Sequence, residues 1–136
     1  QGLFVTVFFG IVDVRTGEVF YANGGHNMPI LVGKTGRTAC LKPLNGMVMG
    51  VVPDIDFEMG KFVLEPGELL FLYTDGVTEA MSEASEQYTE QRLEEALKNL
   101  AGRSSRQTIE GVLTDIKAFT GKAAQHDDTT MLAIKL

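Results

Sequence analysis

Three carboxylates stand where this chain could do chemistry. Asp75 directly follows the apolar run LLFLYT and precedes Gly76, and Asp127 and Asp128 sit side by side just before TTMLAIKL. Like charges side by side repel, and a carboxylate leaves water only when something compensates it. At the end of a buried strand, a carboxylate is held on a rigid element yet reaches the rim. Hard divalent cations such as Mg²⁺ and Mn²⁺ want oxygen ligands of that kind, with several waters retained. The bland alternative stands beside this one: Asp-Gly after a strand is also a common turn, and Asp-Asp before a strand is also a solvated corner. If residues 127–130 are extended, successive side chains point to opposite faces. One aspartate of the pair would then face a cation and the other a supporting partner. Spacing does not fix the order; Asp127 is the preferred ligand and Asp128 its support. Asp75 and Asp127 are 52 positions apart, so the two sites meet only if the strands they flank are neighbours.

Other reactive side chains carry weaker signals. His26 lies in ANGGHNMP, a Gly-rich loop after a strand. It is either an acid or ligand near neutral pH or, the favoured reading, a loop histidine tied to backbone. Gly24 and Gly25 suit an unusual turn; a phosphate cradle would open a helix, and here a strand follows. Cys40 sits in an apolar strand with no base nearby, which disfavours a nucleophile. Met47 and Met49 read as core filler.

The elements that must position these residues change period midway. Residues 3–14 are rich in Val, Phe and Ile, and RTGE separates them from EVFYAN, which is a hairpin signal. MPILV, RTACL and DFEMGKFVL continue the strand-like half, and Pro66 with Gly67 marks a tight turn. LLFLY is apolar without alternation, which predicts cover on both faces. Leu93, Ala96, Leu97 and Leu100 then fall on one helical stripe that Gly102 stops. Ser104 and Gln107 have capping-box spacing, and Ile109, Val112, Leu113 and Ile116 repeat the stripe up to Gly121. TTMLAIKL returns to strand. Strands, two helices and a last strand predict an α+β fold with mostly antiparallel sheet.

Composition bounds the function. A chain of 136 residues with 44% hydrophobic and 22% charged residues is one ordinary domain, or part of one, with a real core. The net charge of −6, with no basic stripe, argues against nucleic acid. EASEQYTEQRLEE reads as a solvated acidic face. No apolar run is long enough to span a bilayer, so no membrane contact is expected. The single cysteine fits a reducing compartment, and a cytoplasmic location is expected. The chain opens on Gln1 in strand-like sequence, which reads as a fragment.

Taken in order, FVTVFFGIVDVRTGEVFYANGGHNMPIL, GVVPD, LEPGELLFLYTDGVTEA and HDDTTMLAIKL resemble the C-terminal part of a bacterial type 2C protein phosphatase. The branch is that of the stage II sporulation phosphatase and the stress sigma-factor regulators. LYTDGVTEA is the most specific piece, and the terminal DD-x-T and the N-x-GH loop add to it. On this resemblance, residues 1–136 are the C-terminal portion of a single phosphatase domain. The fold is then part of an antiparallel β-sandwich flanked by helices, without its N-terminal strands and helices.

The resemblance implies a metal-dependent serine/threonine phosphatase. Two Mn²⁺ or Mg²⁺ ions at one end of the sandwich activate a water that attacks phosphorus in line. It matches Asp75 and Asp127 to metal-ligand aspartates and Asp128 to an Asp or Asn position beside the metals. It gives His26 no firm role. The implied partner is a phosphorylated regulatory protein such as an anti-sigma-factor antagonist.

One family feature is missing: an upstream Asp-x-x-Gly-x-Gly segment, whose aspartate bridges both metals. Asp13 does not supply it, being followed by Val, Arg and Thr. The fragment is therefore expected to carry part of the metal site and to be weakly active or inactive alone. Its open strand edges would suit pairing with a second copy as a homodimer. The competing reading is a non-catalytic, phosphatase-like module that grips a partner protein.

Overall fold

The computed structural model describes residues 3–125 and 127–136. Two antiparallel sheets and a helical layer stack on one another. The chain enters through a hairpin, β1 (Val7–Val12) and β2 (Glu18–Gly24), paired from Val7–Gly24 to Val12–Val19. Its turn is organised by Asp13, whose Oδ1 accepts from the backbone N–H of Arg15 (2.9 Å) and of Thr16 (3.3 Å). That carboxylate serves the turn, not a metal site. β2 also pairs with β5 (Gly60–Val63), giving a three-stranded sheet in the order β1-β2-β5.

The second sheet has the order β4-β3-β6-β7, from β3 (Ile30–Val32), β4 (Thr38–Cys40), β6 (Leu69–Tyr73) and β7 (Met131–Lys135). LLFLY is β6, an inner strand covered on both faces as its composition predicts. Leu69, Phe71 and Tyr73 pack into the helical layer, while Leu70 and Leu72 pack toward the three-stranded sheet with Val19, Tyr21 and Leu64. A strand with apolar neighbours above and below has no face to leave polar, hence the unbroken run.

A one-turn helix, α1 (Asp75–Thr78), leaves β6; α2 (Thr89–Asn99) and α3 (Ser105–Thr120) form the helical layer. α2 buries Leu93, Ala96 and Leu97, and α3 buries Thr108, Val112 and Ile116. The capping box is present: Ser104 Oγ accepts from Gln107 N–H at 3.3 Å, and Gln107 Oε1 accepts from Ser104 N–H at 3.1 Å. Leu113, expected on the buried stripe, is exposed.

Two further expectations are corrected. Tyr88, in the stretch read as a solvated acidic face, is fully buried at the start of α2. Its hydroxyl donates to Asp115 and its ring packs edge-on to Phe119. An aromatic ring with a polar tip can sit inside when the tip finds a carboxylate. Met47 and Met49 are not core: they are 47% and 48% exposed. Met49 runs beside the three-stranded sheet, exchanging backbone hydrogen bonds with Val5. The outer face of that sheet also exposes Phe9, Ile11, Phe20 and Val63, so the helices cover only one side of the stack. No helix among the described residues is long and apolar enough to cross a membrane.

Candidate functional site

Strands β6 and β7 are adjacent and antiparallel, with Tyr73 opposite Met131. The end of β6 therefore lies beside the start of β7, and Asp75 is brought to the Asp127–Asp128 pair. Polar bonds lace the two segments. Thr74 N–H donates to Thr130 C=O (3.1 Å), and Thr130 N–H donates to Thr74 Oγ1 (3.1 Å). The hydroxyls of Thr74 and Thr129 donate to the carbonyls of Asp128 (3.4 Å) and Gly76 (3.3 Å).

Gly76 makes this approach possible. A Cβ built on it would lie 2.3 Å from the carbonyl oxygen of Asp128. The glycine of Asp-Gly serves close packing of two backbones, where the sequence alone also allowed an ordinary turn.

Asp75, Asp127 and Asp128 line one open cavity of about 240 Å³, with Thr6, His26, Asn27, Thr74 and Thr130 also on its wall. The pair departs from the extended geometry considered above. β7 begins only at Met131, Asp127 sits in a bend, and both carboxylates line the same cavity. Asp128 N–H donates to Asp127 Oδ1 at 2.7 Å, a local bond of the kind that holds Asp residues in turns. His126, which precedes the pair, lies outside the described residues.

The loop after β2 forms the opposite wall. Buried Asn23 clamps the backbone of His26 on both sides: its Oδ1 accepts from His26 N–H and its Nδ2 donates to His26 C=O, each at 2.8 Å. Gly25, at φ +72°, supplies the left-handed step inside this clamp. The favoured reading had the histidine itself hydrogen-bonded to backbone; instead the side chain of Asn23 holds the His26 backbone. The His26 Nδ1 is hydrogen-bonded to Thr6 Oγ1 at 3.2 Å.

Asn27 then reaches across, its Nδ2 donating to Asp75 Oδ1 at 2.7 Å. Asn23, the first residue of the N-x-GH loop, and Asn27 were given no role from the sequence. The available signal was two amides bracketing a Gly-Gly-His loop. Cys40 does not line this cavity; it is exposed on edge strand β4, and its thiol is pushed above its ordinary value by partial desolvation and then by Glu94 and Glu90. It is not activated.

Beside the His26 ring and the Asn27 amide, the cavity wall offers carboxylate and hydroxyl oxygens, which suit a hard divalent cation. Among the described residues, no group of three or more His, Cys, Asp and Glu side chains is placed to hold an ion. A hydrated Mg²⁺ or Mn²⁺ held by one or two carboxylates, the binding habit of Mg²⁺, is the kind of ion that such oxygens could take.

The chain is similar along nearly its whole length to two bacterial relatives. It is 32% identical to protein IcfG of Synechocystis sp. over 135 residues, which is 98% of this chain and 21% of IcfG. It is 25% identical to the phosphoserine phosphatase RsbU of Bacillus subtilis over 133 residues, 98% of this chain and 39% of RsbU. Among solved structures, that of the RsbU and RsbW domains of Rv1364c from Mycobacterium tuberculosis superposes with a TM-score of 0.78 at 26% identity. It covers 94% of this chain and 36% of that one. The chain thus spans between about a fifth and two fifths of these relatives. The profile of stage II sporulation protein E (SpoIIE) matches residues 1–136, and the chain belongs to that family of PP2C-type phosphatase domains.

Proposed function

We propose that residues 1–136 form part of a metal-dependent protein phosphatase that hydrolyses phosphoserine or phosphothreonine on a bacterial regulatory protein. The family resemblance suggests an anti-sigma-factor antagonist as the substrate class, and the likeness to the phosphoserine phosphatase RsbU supports a phosphoserine substrate. The observation that carries the reading is the convergence of Asp75, Asp127 and Asp128 on one cavity from opposite ends of the chain's second half.

In this reading Asp75 and Asp127 hold Mn²⁺ or Mg²⁺, and Asp128 stands beside them with its N–H on Asp127. Bound cations would supply a water of lowered pKa and positive charge for the phosphoryl oxygens. The chain's own work is orientation. The Thr74–Thr130 bonds fix the two aspartate segments against each other, and the Asn27 amide holds one oxygen of Asp75. The Thr6, Thr74 and Thr130 hydroxyls give the cavity wall further polar groups.

The test is Mn²⁺-dependent hydrolysis of a phosphoserine peptide by the full-length protein, compared with Asp75→Asn. We expect a large loss in the variant; equal rates overturn the reading. The 136-residue chain alone should be weakly active or inactive, because its carboxylates are too few for two ions.

That shortage also favours the second reading, a binding module without catalysis. It prevails if the full-length protein binds a phosphorylated partner but neither binds Mn²⁺ nor turns the partner over. The β1 edge has no strand neighbour among the described residues, so pairing with a second copy would give the homodimer. Sedimentation velocity tests it.

A further inference from the structure

The loop between β2 and β3 is hydrogen-bonded to Asp75 through the Asn27 side chain, and the neighbours of Asn27 in the chain are held in place. Asn23 holds both polar groups of the His26 backbone, and Gly25 sets the backbone turn before it. Pro29, fully buried, anchors the far side. Asn27 and Met28 lie between these fixed points; Met28 packs against the core cluster between the sheets, and the Asn27 side chain crosses to a carboxylate 48 positions away.

The direction of that bond follows from chemistry. An ionised carboxylate only accepts hydrogen bonds, so the amide group at 2.7 Å must be the NH₂. A bond of this length to a charged acceptor is of the stronger class.

We infer that Asn27 is a positioning residue for Asp75: it occupies Oδ1 and leaves Oδ2 to meet a divalent cation in the cavity. This rests on the metal-site reading given above and extends it to a residue that contributes no ligand atom. A carboxylate on a one-turn helix at an open rim has several rotamers available. The Asn27 bond selects one of them before any cation arrives. Supporting partners of metal ligands characteristically change metal affinity about 10–100-fold when removed. A hydrogen bond kept only for stability would leave metal affinity unchanged.

The experiment is a double-mutant cycle on the full-length protein, with Mn²⁺ affinity read by titration calorimetry and by the Mn²⁺-induced rise in melting temperature. Asn27→Ala should weaken Mn²⁺ binding about 10–100-fold, while the metal-free melting temperature moves by only a few degrees. In an Asp75→Asn background, Asn27→Ala should have no further effect on Mn²⁺ affinity, because the group it acts through is gone.

Asn27→Gln, which keeps a donor on a longer arm, should recover part of the loss. If Asp75→Asn itself leaves Mn²⁺ affinity unchanged, both the metal-site reading and this inference fall. If Asp75→Asn weakens binding but Asn27→Ala does not, or if the two losses add fully, the metal-site reading survives and the positioning role is refuted.

Discussion

Replacing Gly76 by alanine sets two physical effects against each other, and the structure says which prevails. Gly76 is the second residue of helix α1, where Gly→Ala would ordinarily gain about 1 kcal/mol from backbone propensity. The new Cβ, however, would stand 2.3 Å from the carbonyl oxygen of Asp128, 2.9 Å from its carbon and 3.4 Å from the nitrogen of Thr129. Ordinary contact requires the Asp128 segment to retreat by about 1 Å. All three obstructing atoms belong to one peptide group, so no side-chain rotation relieves the clash.

Overpacking of this kind costs about 1–3 kcal/mol. The retreat also strains the Thr129–Gly76 and Thr74–Asp128 bonds, each contributing about 1 kcal/mol. The net expectation is a destabilisation of roughly 1–3 kcal/mol in urea unfolding, together with weakened Mn²⁺ binding in the full-length protein. Gly111→Ala in α3 serves as the control. There the Cβ meets only the side chain of Leu100, which can move, so the loss should be much smaller. If Gly76→Ala is as stable as the parent and leaves the amide signals of Asp128 and Thr129 in place, the close-approach account of this glycine is wrong.

Other perturbations have equally definite outcomes. Tyr73 and Tyr88 both have hydroxyl pKa values raised above the ordinary 10.0, by burial first and then by bonds to Glu90 and Asp115. Because the folded values lie above the unfolded one, their contribution is complete below pH 10 and is lost as pH rises beyond it. Stability should then fall by up to about 1.4 kcal/mol per pH unit for each tyrosine. Tyr88→Phe should flatten that alkaline slope in urea titrations across pH 9–11. Asn23→Ala removes both partners of the His26 backbone and should cost about 2 kcal/mol, with loss of hydrogen-exchange protection centred on residues 24–28. Ser104→Ala, which breaks the capping box of α3, should cost about 1 kcal/mol by thermal unfolding.

The fold was readable wherever one local rule decided the outcome. The unbroken apolar run of LLFLY required two covered faces, and it lies between the helices and the other sheet. The period of α2 and the cap of α3 likewise follow from residues within a few positions of one another. Tyr88, Met47 and Met49 escaped because their burial depends on partners far away in the chain. Asp115, 27 positions beyond Tyr88, makes its hydroxyl admissible in the interior. Met47 and Met49 run beside a sheet whose outer face no helix among the described residues covers. Composition describes a residue's preference; it does not say whether a second layer arrives to satisfy it.

The site shows the same division more sharply. That Asp75 and the aspartate pair could cooperate was legible as a condition on topology, and antiparallel pairing of β6 with β7 meets it. What no spacing rule could supply was the means of holding them together. Gly76 matters because of a carbonyl 52 positions away at Asp128, and Asn27 matters because of a carboxylate 48 positions away at Asp75. Sequence reading favours residues whose own chemistry is conspicuous, such as carboxylates, histidines and thiols. Glycines and amides act by leaving room and by fixing a direction, so they become visible only when their distant partners are in place. A carboxylate pair with nothing to orient it is a solvated corner. The Asn27 bond fixes Asp75 and the close approach at Gly76 sets the Asp128 segment beside it, and the proposed cation site rests on that arrangement.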